Sequence, residues 1–271
     1  MKFTDERVEE GGVARRSFEL EVAGDKVPAV IWSPEGAKGP RPLILMGHGG
    51  SQHKKTAGIV ARARTYARKF GYATLALDAP GHGDRISREQ AAQNEREVGA
   101  RVRGEAPAST DASSGIRRLS ESAPKVIAEW KAGLDAVQAL DFVGKSGPVG
   151  YWGVSMGTLF GVPFVAAEPR INAAIFGLAG LLPGVAAFEA AAKKITIPLE
   201  YVFQWEDAVA PRDSGIALFD AFGSAQKTMH INPGGHLDIP DFESGAWEAF
   251  YVRHLGIAAD VKREPAAARA R

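Results

Sequence analysis

Ser155 stands between two glycines in Gly153-Val154-Ser155-Met156-Gly157, straight after an apolar run. A serine hydroxyl is a weak nucleophile at neutral pH and needs a base to take its proton. A G-x-S-x-G turn lifts the hydroxyl above the end of a strand, but only where a strand feeds a helix, and its glycines leave room for that sharp turn. The chain order expected for such a turn is serine, then acid, then histidine. Of the histidines His48, His53, His82, His230, His236 and His254, only the last three follow Ser155. His230 falls inside the apolar run KTMHIN and reads as a packed or strand-face residue, and His254 falls in a terminal helix with a surface role. His236, in Pro233-Gly234-Gly235-His236, lies in a loop directly after the last strand, where sheets of this kind place their chemistry. The acid must lie between them, after a strand. Glu206, Asp207 and Asp213 follow PLEYVFQ. Asp207 is the preferred candidate, to hold the His236 tautomer and stabilise its imidazolium. Glu206 competes, because neighbouring residues leave a strand in opposite directions, while Asp213 reads as a surface or helix-start residue.

An acyl-transfer site also needs donors for a developing oxyanion. The Met156 N–H follows the serine at a helix start. The segment Gly47-His48-Gly49-Gly50-Ser51, after the apolar run LILM, offers a second, with Gly50 the first choice and Ser51 the next. His48 reads as holding that loop.

The elements that must position these groups follow from periodicity. Residues 17–23 and 27–32 flank Gly24-Asp25 and read as a hairpin. Buried strands are expected at 43–47 and 72–77, and further strands at 148–154, 171–177, 198–204 and 227–232. Helices are expected at 56–70 with Gly71 as C-cap, 124–140 with Pro124 at its start, 156–167, 214–222 and 244–255. Alternating strands and helices imply a parallel sheet covered on both faces. The charged N-terminal segment reads as an irregular arm. Residues 84–123, rich in Arg, Glu, Ala and Ser, read as an insertion or partial lid. It carries helical SREQAAQNEREV, loop-like GEAPASTDASSG, and the arginines Arg85, Arg88, Arg96, Arg101 and Arg103 on a solvated face. Trp152 and Trp205, near strand ends, read as core. The tail from about 258, ending KREPAAARAR, reads as flexible and basic. No linker divides the chain, so one domain is expected over 1–271.

Composition narrows the function further. The net charge is +1, from 33 basic and 32 acidic residues, and gives no argument for nucleic acid or an anionic membrane surface. There is no cysteine, which excludes disulfides and thiolate metal sites. The charged start lacks the apolar core of a secretory signal, and no run approaches the roughly 18–20 apolar residues of a membrane span. A soluble cytoplasmic location is expected.

Taken together, GHGG at 47–50, LDAPGHG at 77–83, GVSMG at 153–157, WEDAVAP at 205–211 and PGGH at 233–236 resemble the α/β-hydrolase superfamily, over about residues 17–255. The nearest resemblance within it is to dienelactone-hydrolase-like serine esterases. Dienelactone hydrolases proper carry a cysteine nucleophile; this chain has none, so their lactone substrate does not carry over. The resemblance implies the α/β-hydrolase fold, with an eight-stranded, mostly parallel sheet. Asp78, Gly81, His82 and Gly83 then belong to a structural turn. The serine argues against the aspartate-nucleophile dehalogenases and epoxide hydrolases of this fold. The expected activity is hydrolysis of a small or medium soluble carboxylic ester through an acyl-enzyme, with no cofactor and no metal. The alternatives are other reactions of the same groups (thioester cleavage, perhydrolysis, C–C hydrolysis) or a non-catalytic binding protein on the same fold.

Overall fold

The computed structural model describes residues 1–105, 121–181 and 184–261. The expected loop GEAPASTDASSG and the tail KREPAAARAR lie wholly or largely outside them. The chain runs β1 (Phe3–Glu9), β2 (Val13–Val22), β3 (Asp25–Pro34), β4 (Leu43–Gly47), α1 (Ala57–Phe70), β5 (Ala73–Leu77), a single 3-10 turn (Gly83–Arg85) and α2 (Arg88–Val102). It continues with α3 (Ala123–Gln138), β6 (Val149–Gly153), α4 (Met156–Ala166), β7 (Ile171–Gly177), α5 (Ala186–Lys194), β8 (Leu199–Gln204), α6 (Arg212–Ala221), β9 (Lys227–Asn232) and α7 (Phe242–Leu255).

Among the described residues, nine strands form one sheet in the order β1-β2-β3-β5-β4-β6-β7-β8-β9. The first three pair antiparallel, as do β3 and β5, and from β5 to β9 every pairing is parallel. The central strands β4, β5 and β6 are buried at every position, because helices cover both faces. On one face α1 and α7 contribute Ile59, Tyr66, Trp247 and Tyr251 to the core. On the other, α3, α4, α5 and α6 contribute Trp130, Phe160, Phe188 and Leu218. Helix α1 stops at Gly71, whose φ of 72° is the left-handed cap that glycine adopts without strain.

The sheet has one strand more than expected, because the charged N-terminal segment is an edge strand and not an irregular arm. Its residues lack an apolar face, so periodicity does not reveal it. Cross-strand contacts hold it instead: Phe3 packs edge-on against Phe18, Glu6 pairs with Arg16 at 2.8 Å, and Glu9 pairs with Arg15 at 3.0 Å. A charged edge also resists pairing with other chains. Helix α5 is likewise unannounced by periodicity; only Phe188 and Ala192 of its nine residues are buried.

Parallel strands carry their C-terminal ends to one edge, so the loops after β4, β5, β6, β8 and β9 converge there. A buried ion pair ties two of these loops together. Lys54 Nζ donates to Asp78 Oδ2 at 2.5 Å and to Asp84 Oδ2 at 2.6 Å, while the Lys54 and Asp84 N–H groups donate to the Asp78 carboxylate. Gly83, at φ 58°, presses against that carboxylate, and a Cβ there would sit 2.3 Å from Asp78 Cγ. Removing one partner strands a charge in a desolvated site. Lys54→Met is therefore expected to destabilise the fold by about 3–5 kcal/mol, read as a lower urea midpoint at unchanged slope.

Candidate active site

Ser155 lies between β6 and α4 with φ 56° and ψ −121°, a conformation that costs a non-glycine residue about 1–3 kcal/mol. The surroundings hold it there. Its N–H donates to Gly177 O at 2.8 Å, and its carbonyl accepts from Thr158 and Leu159. The flanking glycines are required by close approach: a Cβ on Gly153 would meet Gly157 O at 2.7 Å, and one on Gly157 would meet Gly47 O at 2.6 Å. The elbow is thus packed directly against the end of β4.

The Ser155 hydroxyl faces His236, with Oγ and Nε2 2.9 Å apart. On the other side of the ring, Nδ1 lies 2.8 Å from Asp207 Oδ2. A carboxylate accepts, so Nδ1 carries the proton and Nε2 is left to accept from the serine. Asp207 has its second oxygen occupied by the N–H groups of Val209 at 2.8 Å and Ala210 at 2.9 Å, and its side chain is fully buried. The competing Glu206 points away: it is exposed, and its carboxylate accepts from the Gly234 N–H. Asp213 is exposed in the first turn of α6.

The His236 loop is fastened from below. Gln204, wholly buried at the end of β8, donates to Pro233 O at 3.3 Å and Asp238 O at 2.7 Å. Gly234 needs its φ of 102°, and the Gly235 N–H donates to Asp238 Oδ2 at 2.7 Å. The sequence does not single out Gln204 or Asp238; each works by satisfying loop backbone groups, which no short motif announces.

On the far side of Ser155, the Met156 N–H opens α4, where first-turn N–H groups have no helical acceptor. Among the described residues, neither it nor the Gly50 and Ser51 N–H groups finds a hydrogen-bond acceptor. Ser51 itself holds φ 57°. His48 fastens this loop: its Nε2 accepts from the Ala79 N–H at 3.0 Å, so Nδ1 donates to Gly49 O at 2.8 Å. Burial depresses the His48 pKa to about 4. The unfolded chain takes up a proton near pH 6.5 while the folded chain does not, so stability is full above that pH and is lost as pH falls toward 4. The loss approaches about 3 kcal/mol. Urea midpoints measured from pH 7.5 down to 4.5 are expected to fall, with a flatter slope in His48→Gln.

No protein-family model and no curated protein matches the chain. Solved structures do. A cold-adapted esterase from an Arctic intertidal metagenomic library, in its PEG-bound complex, is 34% identical over 94% of this chain and 100% of its own, with a TM-score of 0.76. This chain belongs to the α/β-hydrolase esterases. A zinc-bound structure of a cold-adapted esterase from such a library aligns at 30% identity over 94% and 100% of the two chains, with a TM-score of 0.70. Est1E from Butyrivibrio proteoclasticus, solved with ferulic acid, shares the fold at 20% identity, 88% and 98% coverage and a TM-score of 0.63.

The esterase has an open cleft of about 180 Å³ beside the Gly50 loop, lined by Ser51, Gln52, His53, His82, Asp84 and Asn94 among others. Helix α2 lines one side of it through Ala91 and Asn94, and a Cβ on Gly50 would meet Val98 Cγ2 at 3.6 Å. Three of the arginines before and along α2 are ion-paired. Arg85 is locked on Glu129 by two bonds of 2.8 and 2.9 Å, Arg103 pairs with Glu105 at 2.8 Å, and Arg101 sits 4.0 Å from Glu97. Trp152 is core, packed on Trp247, but Trp205 is not: it is half-exposed, with the Arg212 guanidinium 4.0 Å from its ring centre. It lies just past the end of β8, where the chain has already left the covered part of the sheet. No helix among the described residues is long and apolar enough to cross a membrane.

Proposed function

We propose that the esterase works through Ser155 as nucleophile, His236 as general base and acid, and Asp207 as the group that orients His236 and stabilises its imidazolium. The observation that carries this is the unbroken chain from Ser155 Oγ through His236 to Asp207, with both links under 3 Å. His236 takes the hydroxyl proton as Oγ attacks the ester carbonyl. The tetrahedral oxyanion is held by the N–H of Met156 and that of Gly50, with Ser51 as the alternative donor in the same loop. His236 then protonates the departing alkoxide, leaving an acyl-enzyme. Water, activated by the same histidine, releases the acid and restores the serine. No step needs a cofactor.

The substrate is a small or medium carboxylic ester. The cleft that adjoins the Gly50–Ser51 loop is modest in volume, about 180 Å³, which suits a compact ester better than a long acyl chain. The ester reading is favoured over thioester or C–C cleavage by the 34% identical esterase. The test is a fluorophosphonate mass-shift assay beside hydrolysis of p-nitrophenyl esters of increasing chain length. One adduct per chain, on Ser155, with turnover falling as the acyl chain lengthens, is expected. No adduct and no turnover would overturn the proposal.

A further inference from the structure

Where α7 begins against β8 and β9, three ligand-type side chains converge without a role in ester cleavage. Glu200 projects from β8, His230 from β9 and Glu243 from the first turn of α7. His230 Nδ1 lies 2.9 Å from Glu243 Oε2 and 3.7 Å from Glu200 Oε1, and all three donor atoms fall within 4.8 Å of one another. Glu200 is 6% exposed and Glu243 1%. Glu200 Oε1 is buried and has no hydrogen-bond partner.

From this we infer that Glu200, His230 and Glu243 form a structural binding site for one zinc-type divalent cation. Two buried carboxylates facing one imidazole leave negative charge that the site does not neutralise, and an orphaned buried oxygen carries a desolvation cost that a cation removes.

The donor set is one imidazole nitrogen and two carboxylate oxygens. That mixture suits zinc, whereas calcium and magnesium take oxygen ligands in greater number. A tetrahedral ion with bonds near 2.1 Å spaces its ligands by roughly 3.4 Å. The observed separations straddle that value, so small side-chain rotations complete the site. Asn232 Nδ2 donates to Glu243 Oε1 at 2.8 Å and orients that carboxylate from behind. The His230 side chain is 30% exposed on the edge strand, which leaves an entry path and a fourth position for water. The ion displaces any Nδ1 proton, so His230 binds as its Nε2–H tautomer. It joins β8, β9 and α7, the elements that bracket the His236 loop, and acts by stability and not by chemistry.

The test begins with protein stripped by EDTA. Equilibrium dialysis against zinc is expected to load one ion per chain, and the thermal midpoint is expected to rise with zinc but not with magnesium or calcium. Glu200→Gln and His230→Gln are each expected to weaken zinc at least about tenfold. Zinc bound equally well by Glu200→Gln would place the ion on other histidines and overturn the proposal, as would no retained zinc in the wild type. Should either variant fail to fold, cobalt in the wild-type protein decides. A visible spectrum of four- or five-coordinate cobalt, with a paramagnetic shift of the His230 ring, is expected; an unshifted ring overturns the site.

Discussion

Ser155→Ala is expected to lower kcat for p-nitrophenyl ester hydrolysis by about 10⁵-fold or more while leaving the fold and KM nearly intact. In the proposed mechanism the hydroxyl forms the acyl bond, and the variant offers no other nucleophile in its place. The residual rate comes from the oxyanion donors and from substrate positioning, which the variant keeps. Alanine also relieves none of the backbone constraint. It keeps a Cβ at φ 56°, so stability is expected to change by less than about 1 kcal/mol, which separates a chemical loss from an unfolding one. Fluorophosphonate labelling must vanish in the same variant. Wild-type turnover in Ser155→Ala would refute the assignment of the nucleophile.

Asp207→Asn carries the second-largest effect, a fall in kcat of about 10⁴-fold. The substituted amide would keep the shape of the carboxylate and would offer either its oxygen or its N–H to His236 Nδ1. The buried oxygen that receives the Val209 and Ala210 N–H groups fixes which way the amide turns. An amide oxygen is needed for those two donors, so the NH₂ group faces Nδ1 and drives the ring to the tautomer with its proton on Nε2. That tautomer cannot accept from Ser155. Glu206→Gln, next in the chain, is expected to change kcat by less than about threefold, because its carboxylate meets only the Gly234 N–H at the surface. Comparable losses in the two variants would return the assignment of the acid to an open question. Measuring both over a pH series separates the tautomer effect from a general loss of charge near the site.

Much of this protein is legible in its sequence, for a physical reason. The parallel strands inside the sheet, β4 to β8, are buried on both faces, so they appear as short apolar runs, and the helices between them show their covered stripe. Among the described residues, periodicity therefore reaches β4 to β9 and five of the seven helices, with ends shifted by at most two residues. A sixth, α2, reads only as a helical stretch of an insertion. The elbow is legible because its geometry demands glycines at fixed offsets: Gly157 touches Gly47, and no side chain fits between them. The histidine is legible because a glycine-rich loop after a last strand has few other uses.

The rest depends on where distant residues come together. The sequence favours Asp207 over Glu206 but leaves the register open; the β8–β9 ladder, which continues from Trp205 N–H to Asn232 O and from Glu206 N–H to Gly234 O, sets it and turns Asp207 toward His236. Strand β1 has no apolar pattern, because ion pairs with β2 hold most of its length and only Phe3 reaches the core. Trp205 is apolar by type but exposed by position, just past the last buried residue of β8. The meeting of Glu200, His230 and Glu243 spans two strands and a helix, and a polar residue within an apolar run carries no mark of its partners. The sequence determined which local shapes were possible and where a serine could be raised for attack. Tertiary packing decided which charged groups face one another, because electrostatic partners are selected by distance across the sheet and not by spacing along the chain.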